Sequence, residues 1–440
     1  MRIAHVINQF PPNITAGLGR YAELIAPHLA RDHEMAVFTL NDGRLPVWER
    51  IGGIGVYRPR GRVLGLLSGA IARRRRLNRT RGVEFLLLAL TVVVSNWRYF
   101  LLLRRLRPAR RPDLVAVHDS TNFLCGLLCH YVLRLPVVFH VHTTEYGVAP
   151  QRSITDPLNL FAALERWLAR ISRRVVVATP EVREQLIEAG WDRSPIDVVR
   201  LGGTYERVVA DPAFDHDTLR AGAADLRARL GIAEDDPVLL FVGRLERQKG
   251  IYPLLDAMRD IAPAVPGLRL VLVGEGDEAG VARIGEETGL GGRVLTSGGF
   301  VDGRALLEYY AMADACVFPS LFEPFGLVAT EAMALARPVI LGDGFSRIFL
   351  GDPERPAVRF VRAADPRDIA DGVVEVMTDP ALRRALAERG ERLVRETLSW
   401  SRAAEETLAV YATVLSGTGL SGTALPGTAL PGTALPGTGR

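Results

Sequence analysis

Short apolar runs recur along this chain, and each is followed by a longer stretch with helical periodicity. Residues 35–40, 114–118, 137–142, 175–179, 238–242, 268–273, 315–319 and 338–341 are such runs, and 3–8 reads as a first one. They are apolar on both faces, which is the signature of strands in a parallel sheet covered by helices on either side. The chain is therefore α/β. At 440 residues it exceeds one ordinary core, so two units of about 150–200 residues are expected. The strand pattern breaks between 196–203 and Asp236, where the sequence turns helical, polar and rich in Asp. That places one division near residue 200 and predicts two doubly wound halves, 1–200 and 201–398, with a cleft between them. A last helix is expected over 399–416. From 417 to 440 the chain becomes low-complexity, with Gly-Thr-Ala-Leu-Pro repeated three times from Gly422. A proline every fifth residue blocks helix and sheet alike, so a disordered or polyproline-like spacer is expected.

The basic residues are unevenly distributed. Lys249 is the only lysine beside 53 arginines. It lies in FVGRLERQKG, where an apolar strand runs into Gly243-Arg244 and then Lys249-Gly250. A compact ammonium serves a tight site that a planar guanidinium does not, and phosphate beside crowded backbone is such a site. Residues 60–112 carry 14 Arg against the single acid Glu84, a segment charge of +13 in a chain whose net charge is +4. Nothing there supplies the stacking aromatics or reader helix of a nucleic-acid partner. The longest uncharged stretch of this segment, 85–97, has 13 residues, too short for the roughly 20 that span a bilayer. Two readings stand side by side: an amphipathic segment on an anionic membrane, and an ordinary core helix with a solvated Arg face.

Cys125, Cys129 and Cys316 give no disulfide framework and suit a reducing compartment. Cys125-x3-Cys129-His130 lies in an apolar helical run and reads as packing rather than a metal site. Met1-Arg2 leads directly into a strand, so the expectation is a cytoplasmic chain with no signal peptide, peripheral on the inner membrane face if the basic segment docks there. The sequons at Asn13 and Asn78 then carry no meaning.

In open α/β sheets, ligands bind outside the carboxyl ends of the strands. Gly17-Leu18-Gly19-Arg20, His118-Asp119, His142, Gly243-Arg244, Gly274-Glu275-Gly276 and Ser320 to Glu323 all fall there. Six such sites in one frame indicate a cleft for a phosphorylated ligand. The most specific block is Pro319-Ser-Leu-Phe-Glu323-Pro-Phe325-Gly326-Leu327-Val-Ala-Thr-Glu331-Ala-Met. Pro324 and Gly326 force a turn, and the helix that follows offers free N–H groups and a positive dipole end to a phosphate. Glu323 belongs to the turn and Glu331 lies deeper along the helix, two carboxylates suited to the hydroxyl pairs of an elongated sugar–ribose ligand.

Glu323-x7-Glu331, Arg244-x4-Lys249 and the terminal helix together resemble the retaining glycosyltransferase family 4, of GT-B fold, from residue 1 to about 415. The resemblance implies that 1–200 binds the acceptor and 201–398 the nucleotide sugar, and that the last helix crosses back onto the N-terminal half. It implies that Glu323 contacts donor-sugar hydroxyls and Glu331 holds the ribose. Arg244 and Lys249 would neutralise the donor diphosphate, and Gly17 with its neighbours would face it. His142 is similar to the family's histidine at the donor sugar, and Thr143-Thr-Glu145-Tyr-Gly147 resembles the stretch after it in glycogen-synthase-like members. Gly19, Gly243, Gly274, Gly276, Phe325, Gly326 and Leu327 complete the donor-binding set, and Arg244, Lys249, Glu323 and His142 the catalytic one. The chain departs from the family pattern in three places. Ala16-Gly17-Leu18-Gly19 replaces a double glycine, Ala336-Arg337 replaces a Gly before the final buried strand, and Gly342-Asp-Gly-Phe-Ser-Arg347 lacks the usual Glu.

The expected reaction is transfer of a hexose with retention from a nucleotide-diphosphate sugar to a sugar, glycolipid or glucan. No carboxylate is placed as a covalent nucleophile, so front-face displacement is favoured, with the leaving diphosphate stabilised by Arg244, Lys249 and the helix start. With no Asp-x-Asp cluster in the matching frame, no metal and no other cofactor is expected. A nucleotide-sugar epimerase of the same fold and a non-catalytic membrane-associated binding protein are the alternatives. A dinucleotide dehydrogenase fits poorly, because the first strand leads to Pro11-Pro12-Asn13 and not to G-x-G-x-x-G.

Overall fold

The computed structural model describes residues 1–14, 17–41, 43–59, 81–143, 160–191, 193–205, 208–209, 211–290, 292–301 and 303–417. The Arg73–Arg76 run, Asn78, Ala16, the 144–147 stretch and the repeats after residue 417 lie outside them.

Two sheets carry the chain. The first holds β1 (Arg2–Val6), β2 (Glu34–Phe38), β3 (Trp48–Ile51), β4 (Ile54–Tyr57), β5 (Leu114–His118), β6 (Val137–Val141), β7 (Arg174–Val177) and β8 (Ile196–Val198), in the order β3-β4-β2-β1-β5-β6-β7-β8. Every pairing is parallel except β3 with β4. The second is parallel throughout. It holds β9 (Val238–Val242), β10 (Arg269–Val273), β11 (Val294–Thr296), β12 (Ala315–Phe318) and β13 (Val339–Gly342), and, after the small hairpin β14 (Gly351–Asp352) and β15 (Arg355–Pro356), β16 (Arg359–Val361). Its order is β11-β10-β9-β12-β13-β16. The apolar runs behave as their composition requires: β5, β6, β9, β12 and β13 are buried along their whole length.

Helices α1 (Gly17–Leu29), α2 (Arg81–Arg105), α3 (Phe123–Tyr131), α4 (Leu160–Ile171) and α5 (Pro180–Glu188) belong to the first half. The second half contributes α6 (His216–Arg229), α7 (Ile251–Ala264), α8 (Glu278–Glu287), α9 (Arg304–Met312), α10 (Leu327–Ala334), α11 (Pro366–Thr378) and α12 (Pro380–Glu396). Cys125 and Cys129 on α3 are fully buried free thiols in the core of the first half.

The last helix, α13 (Trp400–Ser416), starts on a Ser399 cap and stops at Gly417 in the left-handed conformation. It packs on α1 of the first half, as the resemblance implies, and Tyr411 reaches His5 on β1 and His140 on β6. Beside its start, Gly203 N–H donates to the Leu398 carbonyl at 2.9 Å and Trp400 Nε1–H to the Gly203 carbonyl at 3.1 Å.

Among the three departures from the family pattern, one has a measurable cost. Ala336 sits at φ +51° between α10 and β13. A Cβ is disfavoured there by about 1–2 kcal/mol, offset in part by the extra freedom glycine has in the unfolded chain. Ala336→Gly is therefore expected to raise stability by about 1 kcal/mol, read as an upward shift of the denaturation midpoint at unchanged slope.

Candidate active site

Strand order locates the site before any side chain is considered. In the second sheet β9 is flanked by β10 on one side and β12 on the other, so successive crossovers leave in opposite directions and open a crevice at the carboxyl ends of β9 and β12. The loop after β9 carries Gly243, Arg244 and Lys249; the loop after β12 carries Ser320 to Glu323. Across this crevice Lys249 Nζ and Glu323 Oε2 meet at 2.5 Å, with side chains only 19% and 13% exposed. The lone lysine and the first carboxylate of the motif are thus one ion pair.

The backbone is shaped around that pair. Gly250 follows Lys249 at φ +71°, and a Cβ built on it would penetrate the Pro319 carbonyl. Only glycine lets the two loops come this close. Gly326, at φ +98°, caps α10, and a Cβ there would strike the Phe345 ring and press on Glu323. The loop that lacks the family's Glu supports the same spot, since Glu323 N–H donates to the Gly344 carbonyl at 3.0 Å. Phe325 is buried, while Leu327 is partly exposed at the first turn of α10. The opening N–H groups of that turn have no partner within the helix.

Gly17 begins α1 of the first half, and a side chain there would lie 3.8 Å from Leu327. Two helix N-termini from opposite halves therefore approach each other at Leu327, four residues after Glu323, each with a positive dipole end. Gly19 is packed against Gln9 and Ile14 inside the first half. Gly274 and Gly276 stand where the loops after β9 and β10 touch, against the backbone of Gly243 and Leu245.

Glu331 lies on the buried face of α10, 7% exposed, and accepts a hydrogen bond from the Tyr310 hydroxyl at 2.8 Å. Burial first, and the Glu331 carboxylate second, push the Tyr310 phenol well above its ordinary range, so it stays a donor. Tyr310 carries no mark in the sequence, where it reads as one more core position of α9. Arg244 lies apart from this cluster in orientation: its guanidinium is 61% exposed and bonds Glu246 at 2.8 Å.

His142 stands just past β6 in the first half. Its backbone N–H donates to Asp119 Oδ1 at 3.0 Å, its ring Nε2 faces His118 Nδ1 at 2.9 Å, and the Tyr21 ring lies 4.5 Å away at 62°. Burial lowers the His142 pKa, against a smaller pull upward from Asp119, so the ring is neutral at physiological pH. Asp119 itself takes φ +59° to aim its carboxylate at this strand end. His5, His140 and Tyr411 join the cluster, a feature that no local spacing announces.

Residues 15–203 match the family described as Glycosyltransferase Family 4, and 223–393 match Glycosyl transferases group 1. A D-inositol 3-phosphate glycosyltransferase of Thermomonospora curvata is 34% identical over 68% of this chain and 71% of its own. A glycogen synthase of Mycobacterium tuberculosis is 28% identical over 95% and 96%. Among solved structures, a sucrose-phosphate synthase from Thermosynechococcus elongatus superimposes with a TM-score of 0.68 at 22% identity, over 94% of this chain and 99% of that one. With the paired sheets, the returning helix and both family matches in place, the chain belongs to the glycosyltransferases, on a GT-B fold.

Proposed function

We propose that this glycosyltransferase moves a hexose, with retention, from a nucleotide-diphosphate sugar to a sugar, glycolipid or glucan, without a metal ion. The supporting observation is the Lys249–Glu323 pair beside the N-terminus of α10, which the N-terminus of α1 approaches from the other half. A diphosphate laid there exchanges Glu323 for itself as the partner of Lys249 and gains the dipoles of both helices. Glu323, freed, takes sugar hydroxyls directly beside the bond that breaks. Glu331, held by Tyr310, takes the ribose farther along. The charge developing on the leaving group then meets fixed donors, with Arg244 turning from Glu246 to join them. His142 lies on the sugar side, presented by the first half. An epimerase would use the same donor contacts without an acceptor. Incubation with a panel of UDP-, GDP- and ADP-sugars, with and without oligosaccharide or lipid acceptors, separates the two by product and anomeric configuration. An inverted product, or free nucleotide diphosphate with an epimerised sugar, overturns the reading.

The carboxylates are expected to separate by role. Glu331→Gln weakens binding of the free nucleotide diphosphate with a smaller effect on turnover, whereas Glu323→Gln lowers turnover and leaves that binding nearly intact. Equal binding losses by calorimetry would show that the two have been misplaced.

An anionic membrane surface is favoured as the acceptor side by one observation. Leu90, Val93 and Trp97 are 44%, 44% and 49% exposed, at helical spacing on one face of α2, while Tyr99, Phe100 and Leu103 farther along are buried in the core. Exposed Arg104, Arg105, Arg107, Arg110 and Arg111 follow. Among the described residues no helix is long and apolar enough to cross a membrane, so contact would be interfacial. Sedimentation with acidic liposomes is expected to weaken as salt rises and to drop when Leu90, Val93 and Trp97 become Gln together. A protein that stays in the supernatant with acidic vesicles at low salt leaves a soluble glucan or other sugar as the acceptor.

A further inference from the structure

Four of the eight histidines in the chain form one cluster, with His5, His118 and His140 buried and His142 half-buried at its end. His5 comes from β1, His118 from the end of β5, His140 from β6 and His142 from just beyond it. The order β1-β5-β6 sets them side by side, and Tyr411 of α13 closes the row from above. His142 Nε2 to His118 Nδ1 is 2.9 Å, and His118 Nε2 to His5 Nδ1 is 3.1 Å. The Tyr411 oxygen then lies 3.1 Å from His5 Nε2 and 2.8 Å from His140 Nε2.

Counting protons orders this row. Burial is the largest cause that drives His5 down to about 3 and His118 and His140 well below the usual histidine range, so all are neutral. A neutral imidazole carries one N–H. His118 and His5 have both nitrogens engaged, so each must donate on one side and accept on the other. The direction is common to the whole row and is set where Tyr411 gives its single proton. O–H donors sit closer to their acceptors than N–H donors do. The shorter 2.8 Å contact fits Tyr411 O–H donating to His140 better than the reverse, and the 3.1 Å contact fits His5 Nε2–H donating to Tyr411. His5 Nδ1 then accepts from His118 Nε2–H, and His118 Nδ1 accepts from His142 Nε2–H.

We propose that His5, His118 and Tyr411 are positioning residues that hold His142 as its Nε2–H tautomer, with Nδ1 left as a hydrogen-bond acceptor for a hydroxyl of the donor sugar. The tautomer rests on the direction assigned at Tyr411; the hydroxyl rests on the reading of His142 as a sugar-side residue. The helix that returns from the second half thereby sets a proton position in the first. A sugar lacking that hydroxyl would leave Nδ1 unpaired and be selected against.

Protein labelled with ¹⁵N at histidine decides the tautomer, because two-bond proton–nitrogen correlations distinguish protonated from bare ring nitrogens. The wild type is expected to show His142 protonated at Nε2. Tyr411→Phe removes the acceptor of His5 Nε2–H. A buried orphan donor is tolerated less well than a bare lone pair, so the row reverses and His142 becomes Nδ1–H. His140→Leu breaks the other side of Tyr411, frees its hydroxyl to turn toward His5, and gives the same reversal. In both variants kcat/KM for the nucleotide sugar is expected to fall about tenfold, while the Kd for the free nucleotide diphosphate stays within error. A merely structural role would move neither the tautomer nor this split. A wild type protonated at Nδ1, or mixed, overturns the proposal, and so does retention of Nε2–H in whichever variant folds. Should the wild type turn over no nucleotide sugar, the reading of the function fails while the spectra still decide the tautomer.

Discussion

Replacing Lys249 by alanine is expected to lower kcat/KM for the sugar donor by about 10²-fold or more, the scale on which an enzyme loses one fixed electrostatic donor. The structure makes the loss double. Lys249 is largely shielded from solvent and pairs with Glu323 at 2.5 Å. On the proposed reading, its removal takes away the charge that would meet the diphosphate and leaves a carboxylate that would repel it. Lys249→Arg is expected to recover only part of the activity, because a planar fork would replace a compact ammonium in a pair whose side chains are only 19% and 13% exposed. Arg244→Ala, whose side chain begins exposed on Glu246, should cost about tenfold or more. Steady-state rates over donor concentration settle the matter: turnover in Lys249→Ala equal to wild type would remove the phosphate clamp.

Gly250→Ala is expected to be the most damaging single methyl in the second half. The residue lies at φ +71°, and the added Cβ would overlap the carbonyl of Pro319, a rigid backbone group and not the end of a side chain. Left-handed strain adds to the overlap, and relief requires the loops after β9 and β12 to part. A stability loss of about 3 kcal/mol is expected, within the severe tail of point substitutions, together with loss of the Lys249–Glu323 pair. Thermal or denaturant unfolding measures the first and donor binding the second. A variant with unchanged midpoint and full binding would mean that the two loops are not held as described.

Much of the architecture could be read from the chain because both faces of its main strands are buried. The runs at 114–118 and 238–242 coincide with β5 and β9. The strands that escaped notice lie at an edge or next to one. Trp48–Ile51 alternates exposed and half-buried residues, and its antiparallel partner Ile54–Tyr57 is only four residues long. Neither forms a long apolar run, although Ile54 and Val56 are buried in the core. The site was legible where its residues are close in sequence. Gly326, Leu327 and Glu331 share one turn and helix, and their placement follows from the proline and glycine before it. What spacing could not reveal is contact across 74 residues between Lys249 and Glu323, or Tyr310 beneath Glu331. The histidine row is the extreme case. His5, His118, His140 and Tyr411 become neighbours only once strand order and the return of the last helix are known.

The stitch between Gly203, Leu398 and Trp400 has a mechanical meaning. The chain passes between its halves twice, once leaving β8 and once entering α13, and these passages lie against each other, bonded at 2.9 and 3.1 Å. Arg200 and Glu406 bracket them at 3.4 Å, and the Trp400 backbone fills the space that a side chain on Gly202 would need. Where the chain crosses twice at one place, that place is the natural axis for any turning of one half on the other. Opening of the crevice about it would also have to break the bond from Arg347 N–H to Glu181, 2.8 Å long, which ties the halves away from the stitch. Gly17 and Leu327, on opposite walls, would then separate together through one angular coordinate.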